Sequence, residues 1–153
     1  MANTQAMTTS FKVDLFNAVH AFNATGIPAH TVSTADTFKA ALYITTATMN
    51  ASTTAYSATN EVSGTGYTAG GVTVTFGTAP SSSGTTSFLT PSASITYTTV
   101  TLSTSFDAML LYNSTQSNKA VAVYTFTAQT VAAGTFSLTM PTNDATTGLL
   151  RIA

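Results

Sequence analysis

The chain contains no cysteine and no tryptophan. The first absence excludes disulfides and thiolate metal sites, and it leaves the compartment open, since disulfide-free folds occur everywhere. Charge is nearly as scarce. Lys and Arg number 4 and Asp and Glu 5, together 6% of the chain, where a soluble surface carries about 25–35% charged residues. No basic patch can form, so binding to a nucleic-acid backbone through counterion release is disfavoured. Long apolar runs are missing too. Residues 108–112 make one of the longest, far short of the ~20 residues that span a bilayer, and no membrane partner is expected. Residues 1–10 are polar and uncharged, without the basic and apolar regions of an export signal.

What remains is a chain of 153 residues whose surface must be wetted by Thr, Ser and Asn. The length is that of one domain, able to bury roughly 70% of its unfolded surface without staples. A net charge of −1 does little to keep copies apart, so a neutral, hydroxyl-rich surface is expected to pack closely against neighbours.

Hydrophobic periodicity divides the chain. In residues 11–22 the apolar positions Phe11, Leu15, Val19 and Phe22 fall at helical spacing, with Ser10 as N-cap and Gly26, Ile27 and Pro28 as the stop. From residue 37 the period becomes two. Phe38, Ala40, Leu42 and Ile44 share one face of a strand, and Lys39, Ala41 and Tyr43 the other. Residues 49–58 are small and polar, a loop or a short helical turn. Residues 64–71 form a glycine-rich loop and 72–76 a second strand. Residues 77–84, with Gly, Pro and three consecutive Ser, read as a flexible surface loop. Strands follow at 94–103, at 106–112 (apolar on both faces), at 119–127 with Val121 and Val123 on one face, at 134–140 and at 149–152. Residues 113–118 make a turn.

Seven or eight short strands with turn signals between them predict an all-β fold, an antiparallel β-sandwich of jelly-roll-like or Ig-like form with one N-terminal helix. Residues 1–36 are expected to form an arm and helix, and 37–153 the sandwich. Residues 1–10 have no core-forming pattern, so any order there must come from a partner or from the sheet's own surface.

Motifs that could carry chemistry are few. Gly64, Gly66 and Ala69 match the dinucleotide fingerprint, but a strand follows where a helix is required and no acidic residue stands about twenty positions on, so no cofactor is expected. The glycines Gly64, Gly66, Gly70 and Gly71 read instead as a structural loop whose backbone needs positive φ. His20 and His30 are the two histidines. Neither stands at helical spacing from Asp14, Asp36, Glu61, Asp107 or Asp144, so no metal site is expected; His20 is off the face of Asp14 on a continuous helix. Asp36 and Asp107 read as capping residues rather than a glycosidase pair. No serine lies in a nucleophile elbow. The six tyrosines (Tyr43, Tyr56, Tyr67, Tyr97, Tyr112 and Tyr124) read as core and rim residues, with sugar stacking the alternative. No catalytic residue emerges, and the expectation is that the chain is not an enzyme.

The segment Asn-Glu-Val-Ser-Gly-Thr-Gly-Tyr-Thr-Ala-Gly-Gly at residues 60–71 resembles a signature of small virion structural proteins of tailed bacteriophages. The flanks fit: Phe-Lys-Ala-Ala-Leu-Tyr at 38–43, an alternating strand at 72–76, Leu-Tyr-Asn at 111–113, a return strand at 120–126, and Gly-Leu-Leu-Arg-Ile at 148–152. The similarity runs from Thr37 to the C-terminus. It departs at a strand tryptophan, whose volume Leu102 or Phe106 would fill, and in the Thr- and Ser-rich residues 78–104. The resemblance implies a many-copy structural component assembled in the host bacterial cytoplasm and located in the virion. A head-side decoration or neck protein is the position favoured; the alternative is a tail or fibre-associated receptor- or carbohydrate-binding module. The implied partners are other virion proteins and copies of the chain itself.

Overall fold

A computed structural model of the chain describes residues 3–16, 19–22 and 35–153. Its elements in order are β1 (Ala6–Met7), α1 (Thr9–Phe16), β2 (Phe38–Ile44), β3 (Val72–Val74), β4 (Ser81–Ser83), β5 (Thr86–Leu89), β6 (Ile95–Asn113), β7 (Lys119–Leu138) and β8 (Leu150–Ile152). The fold is all-β and antiparallel, with one short helix near the N-terminus. A five-stranded sheet in the order β1-β7-β6-β2-β3 packs with a three-stranded sheet in the order β4-β5-β8.

The sheet centre is apolar on both sides, as the residue pattern of β2 and of residues 106–112 requires. Ala40, Leu42, Met109 and Leu111 face the main core with Phe38, Phe106 and Phe136, to which the small sheet contributes Leu89 and Leu150. Ala41, Tyr43, Ala108, Leu110 and Tyr112 face a second cluster on the opposite side, covered by Ala47 and Met49 of the loop after β2. That loop contains turns and no helix.

Several expectations need correction. The residues read as four short strands form two long ones, β6 and β7, joined by the turn after Asn113. They stay continuous because bulges absorb the breaks in period. Thr99, at φ 54°, sits at one register shift and Ala133, at φ 52°, at another. A bulge lets a strand bend and twist without ending, so the hairpin serves the whole core. A further shift sets Leu111 opposite Ala122 and Tyr112 opposite Ala120. Val121 is thereby turned into the main core while Val123 enters the second cluster, so the two valines do not share a face.

The helix is shorter than its apolar spacing suggests. Thr8, not Ser10, is its cap: Thr8 Oγ1 accepts the Phe11 N–H at 3.3 Å and donates to the Ala120 carbonyl at 3.1 Å. The helix is described to Phe16, and the Val19 N–H reaches the Asp14 carbonyl at 3.0 Å. Phe11 is buried, Leu15 remains 39% exposed, and Phe22 stacks on Phe38 with ring centroids 4.3 Å apart. The expected stop at Gly26, Ile27 and Pro28 lies outside the described residues, as does His30.

The serine-rich stretch is a strand, not a free loop. Ser81–Ser83 pairs with Thr86–Leu89 across a two-residue turn, with Gly84 at φ 59°, the positive φ that tight hairpin turns demand. Every serine in it is exposed, so hydrophobic alternation could not have marked it. The N-terminal segment is ordered on the sheet's own surface, one of the two sources expected: Ala6 pairs with Val123 and Met7 with Ala122, and Asn3 donates to Asp107 at 2.6 Å.

Candidate functional site

Residues 60–71 occupy a gap in the large sheet. β3 covers β2 only from Phe38 to Ala40, and beyond that point the loop takes over the β2 edge. The Val62 N–H donates to the Leu42 carbonyl at 2.9 Å and the Ile44 N–H to the Asn60 carbonyl at 3.1 Å. The Leu42 N–H has no backbone acceptor there; it donates to the Tyr67 hydroxyl at 3.0 Å. On its other flank the loop meets β6, where the Thr101 N–H reaches the Thr65 carbonyl at 2.9 Å.

This double attachment explains the glycines. A Cβ on Gly71 would lie 1.6 Å from the Ala40 carbonyl oxygen; on Gly66 or Gly64 it would lie 2.1 Å from the carbonyl oxygens of Thr99 or Thr101. Gly66, Gly70 and Gly71 also hold φ of 77°, 88° and 72°, where side chains are strained. Gly64 does not have positive φ; it is required by close approach alone. The following strand, β3, runs antiparallel to β2, which is not the parallel strand–helix–strand setting of a dinucleotide loop.

Glu61 is the hub of the loop, and sequence reasoning missed this role. Its carboxylate accepts the Tyr56 hydroxyl at 2.7 Å, the Tyr67 hydroxyl at 2.8 Å and the Gly70 N–H at 2.7 Å. Tyr112 donates to the Gly70 carbonyl at 2.8 Å and Tyr97 to the Ala40 carbonyl at 2.8 Å. Tyr43 and Tyr124 donate to the carbonyls of Ser57 and Leu149. All six tyrosine hydroxyls therefore serve the fold. Burial raises the pKa of every one, with Glu61 adding to the effect at Tyr43, Tyr56, Tyr67, Tyr97 and Tyr112; Tyr112 is pushed up to about 12. The one sequence cue to the hub is a lone acidic residue between tyrosines in an otherwise uncharged stretch.

A second polar cluster lies at the β6–β7 turn. Buried Asp14 accepts both hydrogen bonds of Lys119 Nζ, at 2.9 and 3.1 Å. His20 Nε2 lies 3.5 Å from the same carboxylate, whereas the continuous helix assumed from sequence would have separated them. Asn113 Nδ2 donates to Asp36 at 2.7 Å and lies 3.1 Å from His20 Nδ1, which assigns the proton of a neutral His20 to Nε2. Burial holds the His20 pKa below its usual value, against the opposing pull of Asp14 and Asp36. Lys119 neutralises Asp14 and fills the place a cation would take. Asp36 also accepts from Gln116 and the Ala21 N–H.

The other acidic residues do not converge. Asp36 lies beside Asn113, opposite Phe38, whereas Asp107 follows Phe106, opposite Ile44 at the far end of β2. Asp144 accepts the N–H groups of Thr146 and Thr147 at 2.7 Å, which lowers its pKa. Among the described residues no three His, Asp or Glu side chains are grouped to hold a metal, and no helix is long and apolar enough to cross a membrane. A groove of about 450 Å³ between β1 and β8, lined by Met7, Tyr124, Leu149 and Arg151 among others, gathers no second charged group.

Compared with family models, with curated proteins and with solved structures, the chain matches none.

Proposed function

We propose that this chain is a non-enzymatic structural component of a tailed-phage virion, present in many copies, in contact with copies of itself and with other virion proteins, and most consistent with a head-side decoration or neck protein. The observation that carries the reading is the role of residues 60–71. The stretch on which the resemblance rests is an internal clamp, in which Glu61, Tyr56, Tyr67 and the glycines hold β2 to β6. A conformationally demanding segment of this kind suits a protein whose task is to keep its shape. The outer face of the long hairpin is neutral and hydroxyl-bearing, with Thr96, Thr98, Thr101, Ser103 and Thr104 from β6 and Thr127, Thr135 and Ser137 from β7. Such a surface packs against neighbours without like-charge repulsion.

The alternative of a carbohydrate-binding module draws less support. Its natural platform would be the tyrosines, and their hydroxyls are committed internally, with Tyr56 stacked on Tyr112 and Tyr67 on Tyr97. Quantitative mass spectrometry of purified particles from the phage encoding this chain tests the proposal. The expected result is a copy number on the scale of a shell or neck component. Its absence from washed particles would overturn the proposal.

A further inference from the structure

Among the described residues β7 is the longest strand, and most of its outer edge has no neighbouring strand. Along one edge it pairs with β6 from Lys119 to Leu138. Along the other it meets β1 at Ala122 and Val123, and among the described residues no other strand pairs with it there. From Thr127 to Ala133 the side chains are exposed as well, Val131 in part. An extended strand with an open edge presents unpaired N–H and C=O groups, and proteins ordinarily blunt such edges with charge or proline. Here neither is present: no charged residue occurs between Lys119 and Asp144, and no proline between Lys119 and Pro141.

We propose that this edge is an interface for a second copy of the same chain, paired antiparallel about a two-fold axis near Gln129. A two-fold operator sets a strand against itself, so every charge would face its own image or a close neighbour. A segment without charge is therefore suited to self-pairing, whereas an edge adapted to a different protein has no such constraint. About Gln129, Thr127 faces Val131 and Ala128 faces Thr130. These are β-branched or small residues that fit cross-strand contact, and the two Gln129 side chains can exchange amide hydrogen bonds. Register shifts against β6 fall between Thr125 and Gln129, between Gln129 and Val131 and between Val131 and Gly134, within and beside the segment, and limit the paired stretch to a short one. The contact is thus a reversible dimer rather than an open-ended fibre. The inference concerns the chain alone and stands independently of the virion reading.

The absence of cysteine makes the test direct. Gln129→Cys should form a disulfide-linked dimer under mild oxidation, and Ala58→Cys, on an exposed loop, should not. Sedimentation should show the unmodified chain in monomer–dimer equilibrium, little changed in molar salt. Thr130→Lys should weaken that dimer by about tenfold or more, since paired strands would carry like charges close together, while its melting temperature in dilute solution stays that of the parent. A chain that remains monomeric at high concentration, a cross-linking rate at residue 129 no greater than at 58, or a dimer unaffected by Thr130→Lys would each overturn the proposal.

Discussion

The two flanks of the large sheet meet the same problem with opposite outcomes. On one, β2 is longer than its partner β3; on the other, β7 is longer than its partner β1. The unpaired part of β2 is sealed by residues 60–67, down to a tyrosine hydroxyl standing in for a missing carbonyl at Leu42. Among the described residues the unpaired part of β7 is left open, and it is uncharged. Sealing an edge takes glycines, a buried carboxylate and aromatic hydroxyls in one short segment, all of which constrain sequence. An open edge needs only that charge and proline stay away. Residues that look informative in this chain therefore mark the closed flank, and residues that look featureless mark the open one.

The largest effects should come from breaking the closed flank at its tightest point. Gly71→Ala forces a Cβ against the Ala40 carbonyl at a positive φ, and a loss of about 3–5 kcal/mol is expected, enough to leave little folded protein. Gly84→Ala makes the control. Its φ is also positive, but a Cβ there meets nothing within 4 Å, so the cost should be the backbone conformation alone, about 1–2 kcal/mol. Urea denaturation of both variants separates close approach from dihedral strain; equal losses would show that the loop is not pressed on β2 as described.

Next in size is Glu61→Ala, which leaves two tyrosine hydroxyls and the Gly70 N–H without their acceptor. A loss of about 2–4 kcal/mol is expected, with Glu61→Gln losing less because one amide oxygen still accepts. Residual stability equal to the parent in Glu61→Ala would remove the carboxylate from its place as hub.

The smaller effects are pH-dependent. Each tyrosine has its pKa raised by folding, so the phenols favour the folded state below pH about 10, their unfolded value. That contribution is lost as pH rises further. Ultraviolet titration should show little phenolate near that pH and then ionisation together with unfolding. At the acidic end His20 has a lowered pKa. Its contribution is complete above its unfolded value of about 6.5 and is lost as pH falls below it. Melting temperature should decline over that range, and His20→Gln should flatten the decline; the same slope in the variant would remove His20 as its source.

Much of the architecture was legible in the residues because burial on two faces leaves a strong pattern. The alternation of Phe38, Ala40 and Leu42 against Ala41 and Tyr43, and the unbroken apolar run at 106–112, each specify a face correctly. What escaped was whatever depends on bulges or on distant partners. Thr99 and Ala133 give no local sign that β6 and β7 continue through them, so single strands read as pairs. Ser81–Ser83 is a strand only because β5 is beside it. His20 and Asp14 meet only because a helix stops early, and Glu61 is a hub only because Tyr56, Tyr67 and Gly70 are folded around it. The loop glycines were recognisable as demanding, but the atoms that make the demand, the carbonyls of Ala40, Thr99 and Thr101, lie on strands remote in sequence.

The pairing of β1 has a consequence for the order of events during synthesis. Thr8 donates to the Val121 carbonyl at a separation of 113 residues along the chain, and Asn3 donates to Asp107 at a separation of 104. Residues 3–8 therefore have no place to dock until β6 and β7 have emerged. Contacts so distant slow folding, because loop closure precedes their reward. The nascent chain must wait with β2, apolar on both faces, uncovered until β6 arrives. Stalling translation before Lys119 should leave the N-terminal residues open to protease, and release past Leu138 should protect them.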